Sequence, residues 1–105
     1  MDVILYNVWF SFQPGSNDAV ELAKTRSFLD DLKTRSKLHD YRLMKNRAPR
    51  DKSKLSTYQL MAEFLDEAQF KLSLTEITQI GVHSGKHGAM IENVDNFMVE
   101  VFEDI

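Results

Sequence analysis

The spacing of apolar positions changes character several times along this chain, and each change marks an element. Val3 to Phe12 is apolar or aromatic at nearly every position and carries no charge. Such a run predicts a strand buried on both faces, near the centre of a sheet. One face carries Ile4, Tyr6, Val8, Phe10 and Phe12; the other carries Val3, Leu5, Asn7, Trp9 and Ser11. The first face is pure core and the second is mixed. Gln13 to Asp18 is a cluster of breakers and caps in which Asn17 or Asp18 can accept from the free amides of a helix start, and Asp18 with Glu21 has capping-box spacing. Leu22, Thr25, Phe28, Leu29, Leu32 and Ser36 then recur at helical spacing, predicting a helix over about 18–36. Lys33, Arg35 and Lys37 suit its negative end.

Leu38 to Asn46 alternates weakly, with Tyr41, Leu43 and Lys45 against Arg42, Met44 and Asn46, which predicts an edge strand where charge is tolerated. A polar loop over 47–56 follows. Thr57 to Leu65 is a clearer strand, with Tyr58, Leu60, Ala62 and Phe64 on the apolar face and Gln59, Met61 and Glu63 on the mixed one. Asp66, with Gln69 three positions on, opens a second helix whose stripe is Phe70, Leu74, Ile77 and Ile80, and Gly81 suits its end. Val82 to Asn93 holds Gly85, Gly88 and Asn93 and reads as a loop or a short irregular helix. In Val94 to Glu103, Phe97, Val99 and Val101 alternate with Met98, Glu100 and Phe102, predicting a last strand. The order β-α-β-β-α-β predicts an α+β, ferredoxin-like fold: a four-stranded antiparallel sheet with two helices on one face.

Two helices cover one face of such a sheet. The other is left with Val3, Leu5, Asn7, Trp9, Arg42, Met44, Gln59, Met61, Glu63, Met98, Glu100 and Phe102. A monomer rarely leaves so much apolar surface in water, and each large side chain among these gains ~1.5 to 3 kcal/mol on full burial. The simplest cover is the same face of a second copy, so a homodimer through the sheet face is expected.

At 105 residues the chain is expected to be a single domain over 1–105. Its 43% apolar and 28% charged residues exclude a disordered chain, and the net charge of −3 gives no reason to expect a nucleic-acid partner. The absence of cysteine excludes disulfides, thiolate metal sites and cysteine nucleophiles. No apolar run reaches membrane-spanning length, and the acidic Met1-Asp2 start with no small-residue cleavage site does not read as a signal peptide. A cytoplasmic protein with no membrane partner is expected.

Candidate chemistry centres on the mixed face. Met44, Met61 and Met98 fall on it beside Trp9 and Phe102, and adaptable thioethers next to aromatic rings can line a pocket for a flexible apolar ligand. Asn7, Gln59 or Arg42 can orient a polar end, with the Arg42 fork suited to a carboxylate. The plainer alternative is a dimer core in which Arg42 pairs with Glu63 or Glu100. Glu63 and Glu100 could also form an acid/base pair, although salt bridges explain such glutamates more often. His83 and His87 have the spacing of two metal ligands on a helix, but the surrounding glycines and the lack of a local third ligand favour a surface loop, so no metal and no cofactor are expected. A loop of that kind over a cavity could act as a lid or supply a base, which keeps both histidines among the candidates. The bases Arg42, Lys45, Arg47, Arg50, Lys52 and Lys54 lack interleaved aromatics and read as a solvated edge and loop rather than a nucleic-acid surface.

In element order and facing, the whole chain resembles the dimeric α/β-barrel group of ferredoxin-like proteins. That resemblance implies two sheets packed face to face, often around a cavity, and activities ranging from cofactor-independent monooxygenases and isomerases to haem degradation. In the monooxygenase and haem-degrading branch an asparagine on the first strand works with a tryptophan and, for haem, a histidine on the second helix. Asn7 matches in type and place, whereas Asp66 to Ile80 holds neither Trp nor His. The leading reading is therefore a homodimeric protein that binds a small apolar ligand, such as a fatty-acid-like carboxylate. A monooxygenase or isomerase is the alternative, and an interaction module without ligand comes third.

Overall fold

The computed structural model describes residues 3–105; Met1 and Asp2, and the reading made of that start, lie outside the described residues. The chain runs β1 (Ile4–Phe12), α1 (Asp18–Thr34), β2 (Asp40–Lys45), β3 (Tyr58–Phe64), α2 (Glu67–Ile80), α3 (Gly85–Ile91) and β4 (Val94–Glu103). The strands form one antiparallel sheet in the order β2-β3-β1-β4, with the uncharged β1 inside and β2 and β4 at the edges. This is the ferredoxin-like arrangement. No helix among the described residues is long and apolar enough to cross a membrane.

The helix starts follow their capping residues. Asn17 caps α1, its side chain accepting from the Val20 amide at 3.2 Å. Asp66 caps α2 by accepting from the Gln69 amide at 2.8 Å, while the Gln69 side chain reaches back to the Leu65 amide at 2.8 Å. Asp18 is released for another role: it accepts a 2.6 Å hydrogen bond from the Tyr58 hydroxyl, tying the first turn of α1 to β3. Glu21 is not part of a capping box. It is buried, and its Oε1 accepts from Asn93 Nδ2 at 2.8 Å and from Lys24 at 3.2 Å, which ties α1 to the start of β4.

The core joins Phe10, Tyr58, Leu60, Ala62 and Phe64 of the sheet to Phe28, Leu29 and Leu32 of α1, with Leu38 closing the end. Helix α2 is pinned beside the α1–β2 connection by the buried Ser73 hydroxyl, which donates to the Lys37 carbonyl, and by the 2.6 Å ion pair of Arg35 with Glu76.

Further expectations change: of the predicted α2 stripe, Leu74 and Ile80 are 40% and 60% exposed. Residues 82–93 contain a regular seven-residue helix, α3, packed along α1. Gly88 permits this, because a Cβ there would lie 2.3 Å from the His83 carbonyl. The apolar alternation of β4 is also not covered as the pattern suggested. Val99 and Val101 are 36% and 52% exposed, because the helical layer sits over β1 and β3 and stops short of the β4 edge, and Phe97, 68% exposed, falls in the register slip of β4. β4 is bare on both faces from Asn96 onward.

Candidate functional site

The register lays out the face turned away from the helices as rows across the sheet, since directly paired residues share a face. One row reads Asp40, Glu63, Leu5, Phe102; the middle row Arg42, Met61, Asn7, Glu100; the third Met44, Gln59, Trp9, Met98. Eleven of the residues singled out in the sequence therefore share one surface, and no helix among the described residues covers it.

Asn7 is the most enclosed residue of that surface, at 6% exposed. Its Oδ1 accepts from Gln59 Nε2 at 3.0 Å and its amide donates to the Leu5 carbonyl at 3.2 Å, so both polar ends are engaged. Glu63 lies 3.5 Å from His39 Nε2 rather than beside Arg42. Glu63 and Glu100 are two strands and one row apart, roughly 12 Å by strand spacing, so they do not form an acid/base pair within one chain.

At the Trp9 end of the face the β2–β3 loop borders an open cleft of about 500 Å³. The Ser56 hydroxyl donates to the Asn96 carbonyl at 2.6 Å, and the Thr57 amide donates to Ser11 Oγ at 3.2 Å, which fixes the loop to β4 and β1. Trp9, Met98, Phe97 and Leu55 supply its apolar lining, while Ser11, Lys54, Ser56 and Thr57 bring polar groups to it. Sequence reasoning placed Lys54 in a solvated loop and passed over Ser56, Asn96 and Phe97. Asn96 adopts φ 51 where the β1–β4 register slips, and an Asn in a run of alternating apolar residues was the available signal. Arg42, the carboxylate partner suggested by composition, is not among the cleft residues; Lys54 is.

The histidines do not join this face. His87 lies in the helical layer, with its ring edge-on to Phe28 at 5.2 Å and its Nδ1 2.6 Å from the Val82 carbonyl. A carbonyl can only accept, so Nδ1 carries the proton of that contact. His83 is exposed in the connection between α2 and α3. Neither is placed as a lid over the cleft. Among the described residues no group of three or more His, Asp, Glu or Cys side chains is placed to hold a metal ion.

A family model matches residues 1–105. The chain belongs to DUF6614, a family of unknown function. No curated protein matches it. Similar solved structures include a dimeric ferredoxin-like protein of unknown function from Jannaschia sp. CCS1, with TM-score 0.69, 17% identity and coverage of 97% of this chain and 99% of that one. A hypothetical Arabidopsis thaliana protein aligns with TM-score 0.71 and 10% identity over 100% of this chain and 90% of that one. SnoaB, a cofactor-independent oxygenase from Streptomyces nogalater, aligns with TM-score 0.69 and 13% identity over 97% and 92%. At these identities the likeness is one of fold.

Proposed function

We propose that the uncovered sheet face is the interface of a homodimer and that the cleft at its Trp9 end binds a small, largely apolar ligand with an anionic end, such as a lipophilic carboxylate. The observation that carries this reading is the cleft itself: Trp9, Met98, Phe97 and Leu55 stand beside one cation, Lys54, the amide of Asn96 and four hydroxyls, Ser11, Ser53, Ser56 and Thr57. Apolar side chains next to a cation and hydroxyls suit a ligand with an apolar body and a polar end. The dimeric state of the Jannaschia protein, which shares the fold, supports the first half of the reading.

Trp9 is the only tryptophan and borders both the cleft and the proposed interface, so its emission reports the cleft at a protein concentration where the oligomeric state is held constant. Titration with a medium-chain fatty acid should change that emission saturably, and Lys54→Glu should weaken the acid's binding roughly fivefold while leaving the matching alcohol unaffected. An emission that stays flat with both, together with no small molecule released on denaturing extraction of the purified protein, refutes the ligand. A monomer at all accessible concentrations refutes the interface. SnoaB's oxygenase activity belongs to that protein; here both polar ends of Asn7 are occupied, so binding is placed before turnover.

A further inference from the structure

We infer that the two-fold axis of this dimer runs along the strands, so that Arg42 of each copy meets Glu100 of the other; the inference rests on the dimer reading above. The middle row of the open face ends in a cation on one edge strand and an anion on the other, Arg42 on β2 and Glu100 on β4. Both are exposed, and neither has an ion-pair partner among the described residues. Three strand spacings separate them, roughly 14 Å, so they cannot meet within one chain. The asymmetry extends along both edges. Residues 42–54 hold six bases against one acid, and residues 92–105 hold five acids and no base.

Two copies of a sheet packed face to face with their strands aligned have two limiting settings of the two-fold axis. With the axis along the strands, every row lies over its own reverse. β2 then covers β4 of the partner, and symmetry forms the Arg42 to Glu100 pairing twice. With the axis across the strands and centred on the middle row, Arg42 lies over Arg42 and Glu100 over Glu100. Shifting that axis by half a row lays Arg42 over Asp40 or Met44 and Glu100 over Phe102 or Met98, so Glu100 meets no cation in either case. Like charges in register and unpaired charges on apolar side chains both oppose association. Only the first setting gives each charge of the middle row its opposite. It also carries the acidic β4 edge, bare on both faces, onto the basic edge of the partner.

The test is the dimer dissociation constant of the full chain by sedimentation equilibrium for four proteins: the unaltered chain, Arg42→Glu, Glu100→Lys and the double variant. Neither side chain belongs to the core, so all four are expected to fold, which far-ultraviolet circular dichroism checks. Each single reversal turns two attractions into two repulsions and should weaken dimerisation at least about tenfold, with the deficit shrinking as salt is added. The double variant should return to within about threefold of the unaltered chain. Single variants that dimerise like the unaltered chain, or a double variant no better than the singles, overturn the axis and leave the dimer standing. An unaltered chain that stays monomeric removes the dimer reading and this inference together.

Discussion

Replacing Tyr58 with Phe isolates one hydrogen bond. The ring packs between Phe10 and Phe12, with centroids 5.7 and 5.6 Å away, and Phe preserves those contacts. What is lost is the hydroxyl's 2.6 Å bond to the Asp18 carboxylate. A hydrogen bond to a charged group contributes about 1.5 to 3 kcal/mol, and the lower end applies because Asp18 is exposed and regains water. A loss of about 1.5 kcal/mol lowers Tm by roughly 6 to 12 °C for a chain of this size, compared at equal concentration. The same bond, and then burial, pushes the Tyr58 phenol up to about 12. The phenol of an unfolded chain loses its proton near pH 10, whereas the folded protein keeps it to about 12, so above pH 10 the folded state binds more protons than the unfolded one. The stabilisation is therefore complete below about pH 10 and is lost as pH rises through about 12. The Phe variant has no such loss, and Tyr6 and Tyr41 titrate alike in both proteins. Chemical denaturation at a series of pH values should show the gap between the two narrowing from pH 10 upward. A gap that stays constant to pH 11.5, or no gap at pH 7, would refute the role given to this bond.

Met61 lies in the middle row of the open face, and Met61→Lys should weaken dimerisation at least about a hundredfold by burying a charge, a shift visible in sedimentation; an unchanged dimer would place the interface elsewhere. Gly88→Ala should cost roughly 1 to 3 kcal/mol and loosen α3, since the added methyl meets the His83 carbonyl, and a neutral melt would contradict that packing. Glu21→Ala strips the acceptor from Asn93 Nδ2 and should cost about 1 to 3 kcal/mol. Combined with Asn93→Ala its effect should fall short of additivity by about 1 kcal/mol, and full additivity would show that the two side chains are not coupled.

The parts of the fold legible in the sequence are those decided locally. The strict alternation of β3 appears in the structure as alternating buried and half-buried residues, and Asp66 with Gln69 starts α2 as their spacing suggests. The parts that were not legible depend on where elements lie sideways. Alternation in β4 shows that one of its faces is apolar, but not that the helices stop before reaching it. Helix α3 was legible only as one of two readings, a loop or a short irregular helix, because the poor helix propensity of Gly85 and Gly88 is outweighed by an approach to the His83 backbone that a Cβ would prevent. The cleft was hidden for a similar reason. Ser53 to Thr57 read as solvated loop, and only pairings with Ser11 and Asn96, far away in sequence, bring Lys54 and Leu55 to the end of the sheet face.

The polar middle row bears on what the face is for. A surface selected only for adhesion would carry apolar side chains at Arg42, Asn7 and Glu100, because isolated buried polar groups oppose association. Asn7 avoids that cost internally, through Gln59 and the Leu5 carbonyl. Arg42 and Glu100 have no such internal solution and must be satisfied by another copy or stay wet. In the proposed dimer they act as a key that sets register, while Leu5, Phe102, Met44, Trp9 and Met98 in the flanking rows supply the apolar burial. The cleft takes in Trp9 and Met98 at the end of the face, one row away from Arg42 and Glu100, so a ligand bound there as proposed need not displace the charged pairs. Ligand binding and dimerisation should then be separable: Lys54→Glu acts on the first and Glu100→Lys on the second. If each variant instead impaired both to the same degree, cleft and interface would be one site, and the division of the face into a keyed row and a binding end would be wrong.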